Sequence, residues 1–260
     1  MNGRHAVVTG GGAGIGGAVV DVLAAAGARV TFVEIDEDLA AARVAAAPGA
    51  VEAVIGDATD PELIAGVAAD LGEVDVLVNN VGHHLRSTAF LASDPERWAA
   101  LREINFDHAL RWCHALVPGM VERGTGAVVN VSSVEGLRAY PPDPIYGAYK
   151  AALLHFTRCF AMEVAPSGVR VNAVAPDVTQ TPQVDYASWV PPEDEHRWST
   201  WVPLGRVGAP EDTAAVVAFL ASDDAGFVTG QVIATDGGTL GAGGWFRRSD
   251  GRWTNRPRDP

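Results

Sequence analysis

The stretch that decides the fold is Thr9-Gly10-Gly11-Gly12-Ala13-Gly14-Ile15-Gly16, in which a run of glycines joins an apolar strand to a helix. Glycines let the backbone turn sharply and come close to a pyrophosphate, and the N-terminus of the following helix favours an anion. The pattern T-G-x-x-x-G-x-G sits directly on the strand end and predicts a dinucleotide site; a merely structural glycine-rich turn is the alternative. The predicted cofactor residues of this loop are Gly10, Gly14, Ile15 and Gly16.

Around this loop, short β-branched runs alternate with longer alanine-rich stretches. Nearly all-apolar runs of this length suit parallel strands buried on both faces. The alternation predicts an α/β fold, a doubly wound parallel sheet of about seven strands with helices on both faces in a single domain. The predicted strands are His5–Val8, Arg29–Val33, Val51–Ile55, Val74–Val78, Ala127–Val131, Val169–Val174 and Gln231–Thr235. The predicted helices are Ile15–Ala26, Glu37–Ala46, Pro61–Leu71, Pro95–Ile104 continuing to about Arg123, Ile145–Val164 and Pro210–Ala221. Two of them have a start signal, because Asp60-Pro61 and Asp94-Pro95 place a capping aspartate before a proline at the first helical position.

The composition narrows the class of protein. Of the 260 residues, 48% are hydrophobic and 20% are charged, which supplies a core and excludes a disordered chain. A net charge of −13 argues against nucleic-acid and acidic-membrane partners. No apolar run has the length of a membrane span, and the first strand begins too early for a signal peptide. Cys113 and Cys159 lack a metal-ligand or disulfide spacing, so we expect a cytoplasmic protein with buried free thiols and no metal.

Carboxylates follow the second and third predicted strands. Glu34 can accept hydrogen bonds from an adenosine ribose diol and would repel a 2′-phosphate, and no arginine directly follows it. The sequence therefore favours NAD(H) over NADP(H), although Glu34 as a helix-cap acid with Asp36 as the ribose ligand is the alternative. Asp57, with Ala58 after it, is placed to meet the adenine edge; a helix-cap turn is the competing interpretation.

Tyr146 and Lys150 are four residues apart in a predicted helix, so both lie on one helix face within reach of one ligand. An ammonium beside a phenol stabilises phenolate and makes tyrosine a usable acid and base near neutral pH. Of the 19 basic residues, Lys150 is the only lysine. Arginine would supply charge on a broad planar head with a different reach, which is a physical reason for lysine at this position.

These motifs resemble those of the short-chain dehydrogenase/reductase superfamily, and they occur in the family's order over about residues 3–238. The resemblance implies a Rossmann-like fold and an oxidoreductase that uses a nicotinamide cofactor. Each motif is modest alone, but six in order are specific. They are the glycine loop at 9–16, Asn79-Asn80-Val81-Gly82, Asn130-Val131-Ser132-Ser133, Y-x-x-x-K at 146–150, Asn172-Ala173-Val174-Ala175-Pro176, and the segment from Gly230 to Gly238.

The resemblance also implies catalytic roles. Ser133, 13 residues before Tyr146, would hydrogen-bond the substrate oxygen, with Ser132 as its structural neighbour or, alternatively, in its place. Tyr146 would be the acid/base, and Lys150 would bind the nicotinamide ribose and lower the proton affinity of the tyrosine. Asn105 would hold a water that relays protons to Lys150; an asparagine that only bonds backbone is the alternative.

Further cofactor contacts follow from the same motifs. Asn79 and Gly82 follow the fourth strand, Pro176 and Val178 follow the sixth, and Thr181 would contact the nicotinamide carboxamide. Two positions depart from the family pattern. Val81 replaces the usual alanine, and Asp177 replaces the glycine that usually follows the proline. Asp177 would either contact the substrate or turn away to solvent.

Substrate contacts are expected from the loop after the fourth strand, the residues just past Ser133, and an aromatic stretch at 183–203. Surface or packing roles are the alternatives for the histidines and for the glutamate among them. The stretch 183–203 is interpreted as a lid over the substrate, with an ordinary packed helix–turn as the alternative. The candidate substrate residues are His83, His84, Glu135, Tyr140 and Asp177.

The last 22 residues, 239–260, follow the domain of residues 1–238 and form a basic-aromatic tail with five arginines. We expect this tail at a subunit interface of a homotetramer or homodimer; a frayed terminus or a contact with the phosphates of an acyl-CoA is the alternative.

The sequence as a whole predicts an NAD-dependent enzyme that interconverts a secondary alcohol and a ketone. A ring alcohol or a hydroxyacyl thioester is the expected substrate. An NADPH-linked 3-oxoacyl reductase and a non-catalytic NAD(H)-sensing regulator are the alternatives.

Overall fold

A computed structural model describes residues 1–188, 190–244, 246–248 and 250–254. Its centre is a seven-stranded sheet in which every neighbouring pair is parallel, with the spatial order β3-β2-β1-β4-β5-β6-β7. The order reverses between β1 and β4, which creates a crevice at the carboxyl ends of the strands. The strands are β1 (His5–Thr9), β2 (Arg29–Glu34), β3 (Val51–Ile55), β4 (Val76–Asn79), β5 (Gly126–Val131), β6 (Val169–Pro176) and β7 (Val232–Thr235).

Helices connect the strands and cover both faces of the sheet. The predicted doubly wound α/β fold of a single domain is therefore confirmed, and the helix starts agree with the predicted caps at Asp60 and Asp94. The helices are α1 (Gly14–Ala25), α2 (Glu37–Ala46), α3 (Pro61–Asp70), α4 (Pro95–Arg102), α5 (His108–Arg123), α6 (Pro144–Val164), α7 (Trp198–Trp201), α8 (Pro210–Ala221) and α9 (Thr239–Ala242).

Alternate residues of each strand feed two separate hydrophobic layers. On β1, Ala6 and Val8 pack on the side of α1 and α8, whereas Val7 packs on the side of α3, α5 and α6. Successive side chains of a strand point to opposite faces, so a nearly all-apolar strand can serve both layers. Trp112 of α5 is fully buried in the second layer and donates its indole N–H to the carbonyl of Ala58 at 2.9 Å.

One predicted helix is interrupted. The sequence predicts a continuous helix from Pro95 to about Arg123, but Glu103–Asp107 forms a π-helical turn between α4 and α5. Such turns add a residue to the helix and frequently mark functional sites. Asn105 lies in this turn and is fully buried.

The predicted lid and tail pack on the body of the domain as short elements. Within 183–203, Trp198 and Val202 pack with Val178 in a small third hydrophobic cluster, and Trp189 lies outside the described residues. After α9, Phe246–Arg247 (β8) and Trp253–Thr254 (β9) form an antiparallel pair. In the described part of the tail, Arg248 and Arg252 pair locally with Asp250; Trp245 and residues 255–260, including Arg256 and Arg258, lie outside it.

Two further observations bear on the composition. Among the described residues, no helix is long and apolar enough to span a membrane. Both cysteines are free, but only Cys113 is buried. Cys159 is exposed on α6, 3.6 Å from Nε2 of His155, so the expectation of two buried thiols was wrong for Cys159. Cys159 lies on the outward face of α6, and the other face of this helix packs on the sheet.

Candidate active site

A cavity of about 770 Å³ runs along the carboxyl ends of the strands from the glycine loop to Tyr146. The sheet topology brings together most of the residues that the sequence predicts. The predicted residues in its wall are Gly10, Gly14, Ile15, Gly16, Glu34, Gly82, His83, His84, Ser133, Glu135, Tyr140, Tyr146, Lys150, Pro176, Asp177, Val178 and Thr181.

The glycine loop at one end of the cavity has no room for side chains. Gly10 and Gly14 have φ of +67° and +55°, in the left-handed region that favours glycine. A Cβ on Gly16 would lie 2.0 Å from the carbonyl oxygen of Gly10. The side chain of Thr181 lies against Gly14, where a Cβ would be 3.5 Å from it. A bare backbone cradle at the N-terminus of α1 fits the diphosphate of a dinucleotide.

Glu34 ends β2 in the cavity wall, beside this loop. Its Oε2 accepts the N–H of Gly12 at 2.9 Å, and its Oε1 accepts the N–H of Ile35 at 2.9 Å. Asp36 instead caps α2, because its Oδ1 accepts the N–H of Leu39 at 3.0 Å. The alternative assigned the ribose contact to Asp36 and the helix cap to Glu34. The structure instead places Asp36 at the cap and Glu34 in the cavity wall.

Asp57 and Ala58 do not reach the described cavity wall. The carboxylate of Asp57 accepts the N–H and the hydroxyl of Thr59 at 2.8 and 2.9 Å, which is the turn-capping alternative. Ala58 is buried in the second hydrophobic layer. The turn engages Oδ1 of an exposed Asp57, so the capping alternative describes this oxygen, and the adenine contacts of Asp57 and Ala58 stay predictions.

Asn79 was also assigned to the cofactor, and the structure places it elsewhere. It is buried inside the sheet, where its Nδ2 donates to Oδ1 of Asn130 at 2.8 Å. The next residue, Asn80, lines the cavity and donates its Nδ2 to the carbonyls of Thr9 and Gly10 at 3.0 and 3.1 Å. Asn80 was not among the predicted cofactor residues. Successive side chains at a strand end point to opposite sides, and this rule bears directly on the choice between Asn79 and Asn80.

The two serines after β5 have different environments. Ser132 is buried and donates its hydroxyl to the carbonyl of Lys150 at 2.9 Å, which ties β5 to α6. The hydroxyl of Ser133 accepts the N–H of Glu135 at 3.2 Å and lies close enough to the phenol of Tyr146 to lower the pKa of that phenol. Ser133 is therefore the serine that faces the reacting group, and Ser132 is structural.

Burial shifts the pKa values of Tyr146 and Lys150, both on α6. It raises the pKa of Tyr146 well above the usual range, and the hydrogen bond from Ser133 opposes this shift only in part. Burial also lowers the pKa of Lys150 to about 8. The ammonium of Lys150 lies 5.7 Å from the centre of the tyrosine ring and donates to the carbonyl of Val131 at 3.3 Å. The net shift of Tyr146 is upward, opposite to the direction expected from Lys150 alone.

Asn105 lies behind the cavity wall rather than in it. Its Nδ2 donates to the carbonyls of His83 and Leu101 at 2.8 and 3.0 Å, and its Oδ1 accepts the N–H of His83 at 3.1 Å. Gly82 sits between Asn105 and Lys150, where a Cβ would lie 2.6 Å from the lysine nitrogen. The side chain of Asn105 thus fixes the loop that follows β4. All of these hydrogen bonds are to backbone groups, as the alternative for Asn105 expected.

One of the two histidines of that loop, His84, contacts Tyr146. His83 accepts the N–H of Leu85 on its Nδ1 at 2.6 Å, and burial lowers the pKa of His83. His84 meets Tyr146 edge to face, with 6.3 Å between ring centres, and Tyr140 does so from another direction at 6.1 Å. The phenol is therefore enclosed by aromatic edges.

Asp177 lies in the cavity wall, and its carboxylate is paired within the protein rather than turned to solvent. Its Oδ2 accepts Arg138 at 2.9 Å and the hydroxyl of Thr239 at 2.5 Å, and its Oδ1 accepts the N–H of Val178 at 2.9 Å. Arg138 also donates to Oε1 of Glu135 at 2.9 Å, and burial raises the pKa of that glutamate. The solvent-facing alternative for Asp177 is thus wrong, whereas its contact with a substrate stays a prediction; Arg138 was not among the predicted site residues.

The described residues contain no cluster of three or more histidine, cysteine, aspartate or glutamate side chains arranged to hold a metal ion. The cavity places the phenol of Tyr146, a possible proton donor and acceptor, beside Ser133 and next to a cradle that fits a dinucleotide.

Comparison with known proteins gives the family. The family model described as enoyl-(acyl carrier protein) reductase matches residues 10–239. A 3-oxoacyl-(acyl-carrier-protein) reductase FabG from Thermotoga maritima is 36% identical over 247 residues, covering 92% of this chain and 99% of that protein. The acetoacetyl-CoA reductase of Shinella zoogloeoides is 38% identical over 241 residues, covering 90% and 98%. The chain belongs to the short-chain dehydrogenase/reductase superfamily.

Solved structures agree with this assignment. A short chain dehydrogenase/reductase family protein has a TM-score of 0.84 at 35% identity, covering 92% of this chain and 98% of that one. Levodione reductase has a TM-score of 0.86 at 29% identity, covering 93% and 99%. The protein is an NAD(P)-dependent oxidoreductase that acts between secondary alcohols and ketones, and the alternative of a non-catalytic regulator is not supported.

Proposed function

We propose that the protein uses NAD(H) to interconvert a secondary alcohol and a ketone, with Tyr146 as the acid/base. The observation that carries the proposal is the placement of Ser133, Tyr146 and Lys150 in the wall of the same cavity that holds the glycine loop and Glu34 at its other end. That single cavity offers a dinucleotide cradle and a proton-transfer group to one substrate.

Each side chain then has a defined task. Ser133 donates a hydrogen bond to the substrate oxygen, and Tyr146 gives that oxygen a proton in reduction or removes one in oxidation. The raised pKa of Tyr146 keeps the phenol protonated at neutral pH, which suits the reducing direction. Lys150 holds the nicotinamide ribose with its ammonium group. Gly82 leaves room for this group because it has no side chain. The bound nicotinamide supplies or accepts the hydride at the carbinol carbon.

Glu34 supports NAD(H) as the cofactor. Its carboxylate would bind the ribose diol and would repel a 2′-phosphate. A cation, Arg43, does lie beside the loop, where its Nε donates to the carbonyl of Gly12 at 3.3 Å, but its guanidinium already pairs with Asp21. Neutralised in this way, Arg43 offers a 2′-phosphate little compensation for Glu34.

The substrate is proposed to be a ring alcohol or a hydroxyacyl thioester. The acetoacetyl-CoA reductase and FabG among the relatives favour the thioester and keep an NADPH-linked 3-oxoacyl reductase as the second candidate. Assembly as a homotetramer or homodimer, a cytoplasmic location, a lid at 183–203 and a tail at a subunit interface complete the proposal as predictions from the sequence.

The test pairs cofactor binding with turnover. Binding of NADH and NADPH to the purified protein is measured by nicotinamide fluorescence, and turnover is then measured with cyclohexanol and 3-hydroxybutyryl-CoA. We expect Tyr146→Phe to bind NADH as the wild type does and to lose turnover by at least about 100-fold. Tyr149→Phe, three residues further along α6, is the matched control with wild-type turnover. Turnover by Tyr146→Phe at the wild-type rate would overturn the proposal.

A further inference from the structure

An ion pair between Arg97 and Asp143 lies at the edge of the cavity and outside the predicted site. Arg97 belongs to α4, and its Nη1 lies 3.3 Å from Oδ1 of Asp143 while its Nη2 bonds the other carboxylate oxygen. The side chain of Asp143 is fully buried, and that of Arg97 is 13% exposed. Both oxygens of the carboxylate are therefore engaged by one planar guanidinium.

Asp143 joins this pair to the helix that carries the phenol. It is the N-cap residue of α6, and its Oδ1 accepts the N–H of Tyr146 at 3.2 Å. A capping carboxylate fixes the first turn of a helix, and Tyr146 lies in that turn. The direction of the phenol is thus coupled to the position of Asp143.

Arg97 also holds the loop that carries His84. Its Nη2 donates to the carbonyls of His84 and Arg86 at 3.2 and 3.0 Å. Between these two lies Leu85, a non-glycine residue with φ of +54°, a backbone conformation that persists only where its surroundings hold it. The ring of His84 faces Tyr146, and its buried Nδ1 has no hydrogen-bond partner among the described residues.

We propose that Arg97 and Asp143 are positioning residues that hold the loop of His84 and the first turn of α6 in register around the phenol of Tyr146. A buried ion pair is weak evidence for stability, because well-packed apolar side chains often replace one at no cost. This pair instead connects the loop of His84 to the first turn of α6, and the rings of His84 and Tyr146 are in contact. The inference rests on the proposed role of Tyr146.

The test separates positioning from stability. Asp143→Asn keeps an oxygen to cap α6 but leaves Arg97 without its counter-charge, so we expect it to lower both Tm and kcat. Adding Arg97→Met removes the buried charge as well. We expect the double variant to recover most of the lost Tm, to keep kcat reduced by about 10- to 100-fold, and to keep KM for NADH within about twofold of the wild type.

Arg97→Lys is a second variant for the case in which the others fail to fold. It keeps a charge beside Asp143 but loses the planar fork that reaches two carbonyls, so kcat falls while Tm stays near the wild type. The control is the pair of Arg4 and Asp223, in which Arg4 also donates to the carbonyl of Ala221 at 3.1 Å. Because it lies at the amino end of β1, far from the cavity, the variant Arg4→Met with Asp223→Asn should leave kcat unchanged.

Turnover is followed with cyclohexanol and 3-hydroxybutyryl-CoA, and a crystal structure of the double variant measures the separation of the His84 and Tyr146 rings. A wild-type kcat in the double variant or in Arg97→Lys, or an unchanged ring separation of 6.3 Å, would overturn the inference. Tyr146→Phe run alongside distinguishes the two proposals. If that variant keeps turnover, the proposed function fails; if it is inactive while the Arg97 variants match the Arg4 control, only the positioning role fails.

Discussion

Oε2 of Glu34 accepts the backbone N–H of Gly12 at 2.9 Å, so the carboxylate at the end of β2 is fastened to the glycine loop itself. A Cβ on Gly12 would lie 2.7 Å from the same oxygen, and only glycine permits this approach. The loop that fits the diphosphate is thus joined to the carboxylate that we propose to select the ribose. We expect cofactor choice to depend on this contact.

Replacing Glu34 with serine should therefore change the preference between the two nicotinamide cofactors. Loss of the carboxylate removes both the acceptor for the ribose diol and the charge that repels a 2′-phosphate. We expect the ratio of the Kd values for NADPH and NADH to fall by at least about tenfold, which corresponds to about 1.4 kcal/mol. Nicotinamide fluorescence titrations measure it. Asp36→Asn, which keeps the cap of α2, is the control, and an unchanged ratio in Glu34→Ser would contradict the assignment.

Lys150 should lower the stability of the fold that it serves. With its pKa at about 8, Lys150 is charged and buried at pH 7, and Lys150→Met removes this cost. We expect a higher Tm at pH 7 together with a loss of turnover of at least about 100-fold. Above pH 8 the folded protein binds fewer protons than the unfolded chain up to about pH 10.5, so wild-type stability rises there and the difference narrows. A variant less stable than the wild type at pH 7 would count against this account.

Glu135 should set the pH range of catalysis. Its charge is one of the groups that raise the pKa of Tyr146. Glu135→Gln removes that charge, so the pKa of the phenol falls and the midpoint of the alkaline limb for ketone reduction moves to lower pH. Profiles of kcat against pH for both proteins measure the shift. Glu122→Gln, at an exposed position of α5, should leave the midpoint in place, and so should Glu135→Gln if the two groups do not interact.

His108 predicts an acid-sensitive stability. Burial, and then the charge of Lys150, lower the pKa of His108 to about 4 from an ordinary value of 6.5. Between these values the unfolded chain binds the proton and the folded protein does not, so stability is lost as pH falls through this window, by up to about 1.4 kcal/mol per pH unit. Urea unfolding from pH 7 to 4 should show a flatter profile for His108→Leu than for the wild type. The exposed His114→Gln should follow the wild-type profile; a parallel profile for His108→Leu would refute the prediction.

The fold was largely predictable because its signals are local. Apolar runs gave the seven strands, and Asp-Pro pairs gave two helix starts, since each depends on a few neighbouring residues. Ser133, Tyr146 and Lys150 were predicted from their spacing and from the family they resemble. The π turn at Glu103–Asp107 was not, because nothing in its composition distinguishes it from the helices on either side.

The partners of buried charges were not predictable, because they come from distant parts of the chain. Arg97 and Asp143 are 46 residues apart, and no sequence feature near either residue predicts the other as its partner. Asn79 and Asn80 are identical in type, and only the direction of the side chain at the end of β4 decides which one meets the cavity. The sequence alone did not decide between a ligand contact and a helix-cap turn for Asp57, and the structure shows that its Oδ1 accepts the N–H of Thr59.

The hydroxyl of Thr239 fastens the start of α9 to Asp177, and Asp177 holds Arg138 in the cavity wall. The start of α9 and the substrate side of the cavity are therefore structurally coupled. In a relative with glycine at the position of Asp177, the residue at the position of Thr239 has no such carboxylate to bond. A chimera that takes its C-terminal segment from that relative is therefore expected to lose this contact. Exchange of such segments within the superfamily should succeed when residues 138, 177 and 239 travel together.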